Sequence, residues 1–329
     1  MQTETTLSES ICTQNLVMSF LAVSQQAAIA CYPLIGRSDK MAADDAGTKA
    51  MRSRLNRINM DAVVVIGEGE MDEAPMLYIN EKLGTGSGPK VDIAVDPVEG
   101  TNLMAAGKDN ALSVISVATR GSLLHAPDMY MKKIAVGPQA KGCIDIDKSL
   151  TENMKNVARS LGKDIRELDV LIQERPRHQE LAQEAVKAGA HVRFFPEADV
   201  TAAIATAFDH CDADIFAGIG GAPEGVVAAT ALKSLGGDFQ GKLVPQSKEE
   251  IERCIKMGIP FPEKKLTMDD IVKTDDCFFV ATGITNGMLL DGVKQTASGK
   301  LITHSIVLTG GKMKNVQFIH GQFSADSEF

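Results

Sequence analysis

Between about residue 150 and residue 235 the chain alternates between two hydrophobic periods, and this alternation restricts the fold more than any other feature. Helical spacing at 151–160, 178–188, 199–207 and 223–234 is interleaved with short apolar runs at 169–173, 190–195 and 213–217. Strands separated by helices of this length read as α/β units packed in layers. The first 150 residues are mixed differently. A long amphipathic helix is expected from the capping-box pair Thr6 and Glu9 to about Pro33, where Gly36 ends it, and a second over 46–56. Strands are expected at 62–66, 91–95, 111–118 and 131–136, with a helix from Pro75 through Lys82. Strands return at 276–282, 301–308 and 313–319, and the polar end at 324–329 is expected to fray. At 329 residues the chain exceeds one ordinary domain, so two packed subdomains are expected, 1–160 and 161–329, sharing an interface suited to a ligand site.

Charge and composition narrow the function. With 34 basic against 43 acidic residues the net charge is −9, which argues against a broad grip on nucleic acid or anionic membrane. Three Tyr, twelve Phe and no Trp leave little material for stacking single-stranded bases. Residues 11–35 are apolar, but Thr13, Gln14, Asn15, Ser19, Ser24, Gln25 and Gln26 interrupt them and no Lys or Arg precedes Arg37, so a soluble helix is expected rather than a signal or anchor. Six scattered cysteines without a C-x-x-C pair fit a reduced, cytoplasmic protein.

Acidic residues gather where strands are expected to end. Glu68, Glu70, Asp72 and Glu73 fall within six residues after the run at 62–66, among glycines that let the backbone bend around an ion. Carboxylates in this density suit a hard cation such as Mg²⁺ or Mn²⁺, although a solvated acidic turn has the same spelling. Asp96 closes the next strand, Pro97 turns the chain, and Glu99 and Thr101 follow, with a helix N-terminus that can receive a phosphoryl group. An ordinary Asp-Pro turn capped by Thr101 is equally compatible with that spacing.

Two further segments stay open on spacing alone. Gly218, Gly220 and Gly221 precede a helix beginning near Pro223, with Glu224 in its first turn; Pro223 spoils a dinucleotide fingerprint but leaves an anion cradle or plain N-terminal charge preference. Arg175, Pro176, Arg177 and His178 form either a bidentate clamp for a second phosphate or a solvated loop, and His178 is either a surface residue or a ligand.

Taken together, 66–70 (Ile-Gly-Glu-Gly-Glu), 72–78 (Asp-Glu-Ala-Pro-Met-Leu-Tyr), 91–101 (Val-Asp-Ile-Ala-Val-Asp-Pro-Val-Glu-Gly-Thr), 126–131 (Ala-Pro-Asp-Met-Tyr-Met) and 218–225 (Gly-Ile-Gly-Gly-Ala-Pro-Glu-Gly) resemble the bacterial class II fructose-1,6-bisphosphatase family. The turn at 96–101 is also similar to that of the wider metal-dependent, lithium-sensitive sugar and inositol phosphatases, where the second acid is commonly Asp. The resemblance implies a layered α-β-α-β-α sandwich and Mn²⁺- or Mg²⁺-dependent hydrolysis of the 1-phosphate of fructose 1,6-bisphosphate in gluconeogenesis. It places metal ligands on Asp44, Glu68, Asp96, Glu99 and Glu224, with neighbouring Asp45 a competitor for the first position. Catalytic roles fall on Thr101, Glu68 and Asp72. Substrate contacts fall on Glu99, Gly100, Thr101, Tyr130, Arg175, Pro176, Arg177, Glu197, Ala198, Asp199 and Gly221. The family often has Lys at 175 and Asp at 197, where this chain has Arg175 and Glu197, which keeps charge and alters reach. A homo-oligomer, dimer or tetramer, is expected. The competing readings are a phosphatase for sedoheptulose 1,7-bisphosphate or an inositol phosphate, a nucleotide-binding oxidoreductase built on 218–221, and a non-catalytic sugar-phosphate sensor.

Overall fold

The computed structural model describes residues 10–69 and 76–324. Its first elements are α1 (Gln14–Cys31), α2 (Lys40–Leu55), β1 (Asp61–Ile66), β2 (Lys82–Leu83), β3 (Lys90–Glu99), α3 (Thr101–Ala105), β4 (Leu112–Thr119) and β5 (Tyr130–Val136). The alternating part follows: α4 (Leu150–Leu161), β6 (Asp169–Gln173), α5 (Gln179–Ala188), β7 (His191–Phe195), α6 (Asp199–Ala205), β8 (Ile215–Gly221) and α7 (Ala222–Leu235). The chain ends with β9 (Asp238–Leu243), α8 (Lys248–Lys256), α9 (Met268–Ile271), β10 (Cys277–Gly283), β11 (Lys294–Gln295), β12 (Leu301–Thr309) and β13 (Asn315–Phe323).

Two mixed sheets organise these elements. The first has the order β11-β12-β10-β4-β3-β1-β2, with β13 also paired to β12; the second has the order β7-β6-β8-β5-β9. Helices α1 and α2 cover one face of the first sheet, α6 and α7 fill the space between the sheets, and α4 and α5 cover the outer face of the second. The result is five layers, α-β-α-β-α. The middle layer explains the composition of α7, which is apolar on nearly all sides because it is packed on both. Strand β10 is buried at every position for the same reason, so it shows no inside-outside alternation. Neither sheet is drawn from one continuous stretch: β5 joins the second sheet, and β10 to β13 return to the first.

Helix α1, with the turn after it, is apolar and long enough by composition to cross a membrane, at a mean hydropathy of 1.3. Its apolar side instead fills the core, with Phe20 set edge-on against Phe278 at 5.3 Å between ring centroids. The described helix begins at Gln14, where the Thr13 side chain accepts from the Leu16 amide; the expected cap at Thr6 and Glu9 lies outside the described residues.

Three expectations are corrected. Helix α2 starts at Lys40 rather than near 46, because Asp39 caps it by accepting from the Ala42 amide at 3.0 Å; this places Asp44 on a helix. Residues 76–81 form turns rather than a helix, with Leu77 and Asn80 at positive φ. Tertiary pairing decides that segment: Glu81 is buried against Arg52 at 2.6 Å and also accepts from the Leu77 amide, while the Glu68 amide donates to the Leu77 carbonyl. Finally, β3 does not stop at Asp96. It runs on to Glu99 through a register shift between Asp96 and Glu99, with the Val98 amide donating to Asp96 Oδ1 at 2.9 Å. Sequence reasoning also left out β9 and α8 altogether.

Candidate active site

The ends of β1 and β3, helix α2 and the start of α7 converge on a cavity of about 250 Å³ between the two sheets. Asp44, Glu68, Asp96 and Glu224 line it, together with Thr101 and Asp128. Helix α2 turns Asp44 inward, where Thr101 Oγ1 stands 2.9 Å from its Oδ1 and 2.9 Å from the Val98 carbonyl. Asp45 points the other way, into an exposed pair with Lys49 at 2.6 Å. The choice between the two neighbours is therefore made by helix phase. Glu99 lies behind the wall, 4% exposed, sharing a proton with Asp96 and accepting from the Val200 amide at 3.3 Å. Asp72 lies outside the described residues, as do Glu70 and Glu73.

These carboxylates hold protons unusually well. Burial raises Asp96 to about 7, and the Glu68 and Glu224 charges add to that against a hydrogen bond from Glu99. Glu68 reaches solvent along one side of the cavity but is otherwise walled in, and that enclosure with the charge of Asp44 raises it to about 7. Glu99 goes well above the carboxylate range through burial and the charge of Asp96. Glu224 is raised by burial despite the nearby Lys133 ammonium, and Asp44 is raised by burial against the hydrogen bond from Thr101. Like charges forced together in a poorly solvated place prefer protons or metal ions to ionisation in isolation.

The set fits a hard divalent cation in donor type and charge: its donors are carboxylate oxygens, and Glu224 Oε2 is buried without a hydrogen-bond partner among the described residues. The carboxylates ring the cavity instead of meeting at one point; among the described residues no three His, Cys, Asp or Glu side chains form a ready-made coordination group.

A second wall, carried by the second sheet, lies beside this cavity without lining it. Arg175 Nη2 lies 3.3 Å from Glu197 Oε1, and Asn102 Nδ2 donates to the same oxygen at 2.9 Å. Glu197 thus joins the arginine segment to the residue after Thr101. Pro176 opens a single turn that presents Arg177, whose guanidinium stacks 5.1 Å from the Tyr130 ring centroid and donates to the Ile219 carbonyl at 2.9 Å. His178 is neither surface residue nor ligand. It is buried, with Nδ1 2.8 Å from the Gln173 carbonyl and Nε2 accepting from the Ile219 amide at 2.8 Å, and burial lowers its pKa. Ala198 sits at φ 77 and starts α6, so Asp199 faces inward at 2.6 Å from the ammonium of Lys133.

The glycines at 218–221 lie inside β8 and answer to these side chains. A Cβ on Gly220 would stand 1.9 Å from Asp199 Oδ2, and one on Gly221 would stand 1.8 Å from Glu224 Oε2. Both must be glycine for the carboxylates to sit where they do, which accounts for the motif without a dinucleotide. Sequence reasoning missed Lys133, Asn102 and Asp128. Lys133 is one of two adjacent lysines in the strand at 131–136, and its place on the inward face was the only signal; Asp128 lies within a quoted motif and Asn102 beside one.

The family model described as bacterial fructose-1,6-bisphosphatase, glpX-encoded, matches residues 14–323. The chain belongs to that family. Fructose-1,6-bisphosphatase 1 class 2 of Escherichia coli strain K12 is 45% identical over 323 residues, covering 93% of this chain and 95% of its own length. The class 2 fructose-1,6-bisphosphatase of Haemophilus influenzae is 43% identical over 321 residues, covering 93% and 96%. Among solved structures, the extragenic suppressor protein suhB from Bartonella henselae overlaps 57% of this chain and 73% of its own, at 13% identity and a TM-score of 0.34, too low to carry argument. The match to the bacterial fructose-1,6-bisphosphatase family spans both the carboxylates that line the cavity and the arginine segment beside it.

Proposed function

We propose that this chain hydrolyses the 1-phosphate of fructose 1,6-bisphosphate to fructose 6-phosphate and phosphate, as a cytoplasmic gluconeogenic enzyme that assembles as a homo-oligomer. The observation that carries the reading is the cavity itself, lined by inward carboxylates and the Thr101 hydroxyl, with the Arg175 segment brought beside it by the contact of Glu197 with Asn102, in a chain with class 2 fructose-1,6-bisphosphatases as full-length relatives.

Asp44, Glu68, Asp96, Glu99 and Glu224 would hold Mn²⁺ or Mg²⁺. When bound, such ions supply charge neutralisation at the phosphoryl group and acidify a water. The protein's own part is positional. Asp44 accepts from Thr101 and so fixes the hydroxyl that would orient the attacking water. Glu99 and Gly100 place the backbone against the 1-phosphate. Arg175, Pro176 and Arg177, with Tyr130, would hold the 6-phosphate, and Glu197, Ala198, Asp199 and Gly221 the sugar. On this reading the catalytic work of 1–160 needs Glu224 from 161–329, and the sugar-phosphate work of 161–329 needs Tyr130 from 1–160.

The test is phosphate release from fructose 1,6-bisphosphate by EDTA-stripped protein, with Mn²⁺, Mg²⁺ or no metal restored. Release only with metal supports the reading; none with either metal overturns it. Sedoheptulose 1,7-bisphosphate and an inositol phosphate in the same assay decide substrate range.

A further inference from the structure

We propose that Lys133 is a positioning residue for the sugar: its buried ammonium ties the carboxylate of Asp199 to the backbone of Gly221 and holds both in register with the carboxylate wall. The inference rests on the reading above, in which Asp199 and Gly221 contact the sugar.

Lys133 is 2% exposed, on the central part of β5. Its ammonium stands 2.6 Å from Asp199 Oδ2 and donates to the Gly221 carbonyl at 2.8 Å. The sheet is built to let it pass. Its partners on the adjacent strands are Gly218 and Gly241, so no neighbouring side chain crowds it laterally. A Cβ on Gly220 would lie 3.0 Å from its Nζ, and one on Gly225 would lie 3.4 Å from its Cδ. Glycine at these positions leaves a path for one long side chain to travel from the sheet to the site.

Stability alone does not explain such an arrangement. Burying a lysine and a carboxylate costs solvation that their attraction barely repays, and apolar side chains of the same volume commonly do as well. What the pair achieves is alignment. Asp199 follows Ala198 at φ 77, a left-handed conformation that is strained for a non-glycine residue and needs an external hold. The next amide, Val200, donates to Glu99 Oε1 at 3.3 Å. Lys133 therefore fixes one end of a short chain of contacts whose other end is in the carboxylate wall.

The experiment is calorimetric binding of fructose 6-phosphate, in EDTA and with Mn²⁺, to Lys133→Met, Asp199→Asn and the double variant, alongside steady-state kinetics with fructose 1,6-bisphosphate. Lys133→Met keeps length and loses charge; we expect product affinity to fall about 10-fold and KM to rise similarly, the loss of a charged hydrogen bond, with kcat within about threefold. In the Asp199→Asn background the same change should add less than it costs in the parent, because only the Gly221 contact is then left for it to remove. The double variant also leaves no unpaired buried carboxylate, so it remains informative if the single lysine variant fails to fold. Additive losses in the double variant, or a fall in kcat with KM unchanged, would overturn the positioning role. Unchanged product affinity in Asp199→Asn would remove the sugar contact and this inference together. Weaker binding in Asp199→Asn but not in folded Lys133→Met would remove this inference alone.

Discussion

The carboxylate wall of the cavity and the second-sheet wall beside it are charged in different ways. The second-sheet wall is already neutralised from within: Arg175 meets Glu197, Lys133 meets Asp199, and Arg177 is spent on Tyr130 and the Ile219 carbonyl. The carboxylate wall is not. Asp44, Glu68, Asp96, Glu99 and Glu224 all hold protons more tightly than free carboxylates do, and Glu224 Oε2 has no hydrogen-bond partner among the described residues. One wall is a finished set of contacts that a substrate must partly exchange; the other is a set of charges that stays strained until cations arrive. The contrast assigns them different tasks, with binding and orientation on the paired side and charge chemistry on the unpaired side.

The contrast breaks most visibly if a carboxylate is neutralised. On the proposed function, Glu68→Gln removes a metal ligand and a repelling charge together. Turnover should fall by on the order of 10³-fold, the equivalent of several kcal/mol of lost metal assistance. The metal-free variant should nonetheless melt above the metal-free parent at pH 8, because one member of the repelling group is gone. A drop in Tm of the stripped variant would show that Glu68 is stabilising and that the wall is not strained.

The pH dependence of the metal-free protein tests the same wall without mutation. Asp96 and Glu68 titrate near 7 when folded and near 4 when unfolded, so between those values the folded state binds more protons. Stability must then fall as pH rises from about 4 to about 7 and stay low above it. Melting of EDTA-treated protein at pH 5 and pH 8 should show the lower Tm at pH 8, and Mn²⁺ should raise Tm more at pH 8. Equal stability at both values would mean that the carboxylates are not forced together.

Thr101→Ala probes the hinge between metal and water. We expect kcat to drop about 10²-fold, the scale for misplacing a reactant, with the metal-induced rise in Tm retained. Loss of that rise would reassign Thr101 to holding Asp44 for the metal.

How far the site could be read from sequence follows the same division. Glu68, Asp96 and Glu99 stood out as acid at the ends of apolar runs, but a solvated turn has the same spelling, and only the family resemblance separated the two readings. The alternation at 150–235 marked α4 to α7 nearly to the residue: α4 and α5 show one apolar face to a sheet, and α6 and α7, packed between the sheets, are bounded by the strands on either side. What local pattern could not show was direction and partnership. Asp44 and Asp45 differ only by helix phase, and that phase depends on a helix starting at Lys40 because Asp39 caps it. The segment at 76–81 spells a helix but obeys the Glu81–Arg52 pair, which joins residues far apart in the chain. The glycines of β8 resemble a nucleotide loop until Asp199 and Glu224 are seen to occupy the space their side chains would need.

The smallest expected effect belongs to the paired wall. Arg177→Ala removes a guanidinium that is exposed and already engaged by Tyr130, Gln173 and the Ile219 carbonyl, so its free state costs the protein little. If it serves the 6-phosphate, that phosphate must compete with these partners, and the net gain is what survives the exchange. KM for fructose 1,6-bisphosphate should rise about 10-fold, the net worth of one charge-assisted hydrogen bond, with kcat and the metal-induced Tm rise unchanged. Because an exposed charge is screened, raising salt should shrink the difference between parent and variant. A loss of kcat at unchanged KM would place Arg177 on the chemical side of the cavity and erase the division of labour between the walls.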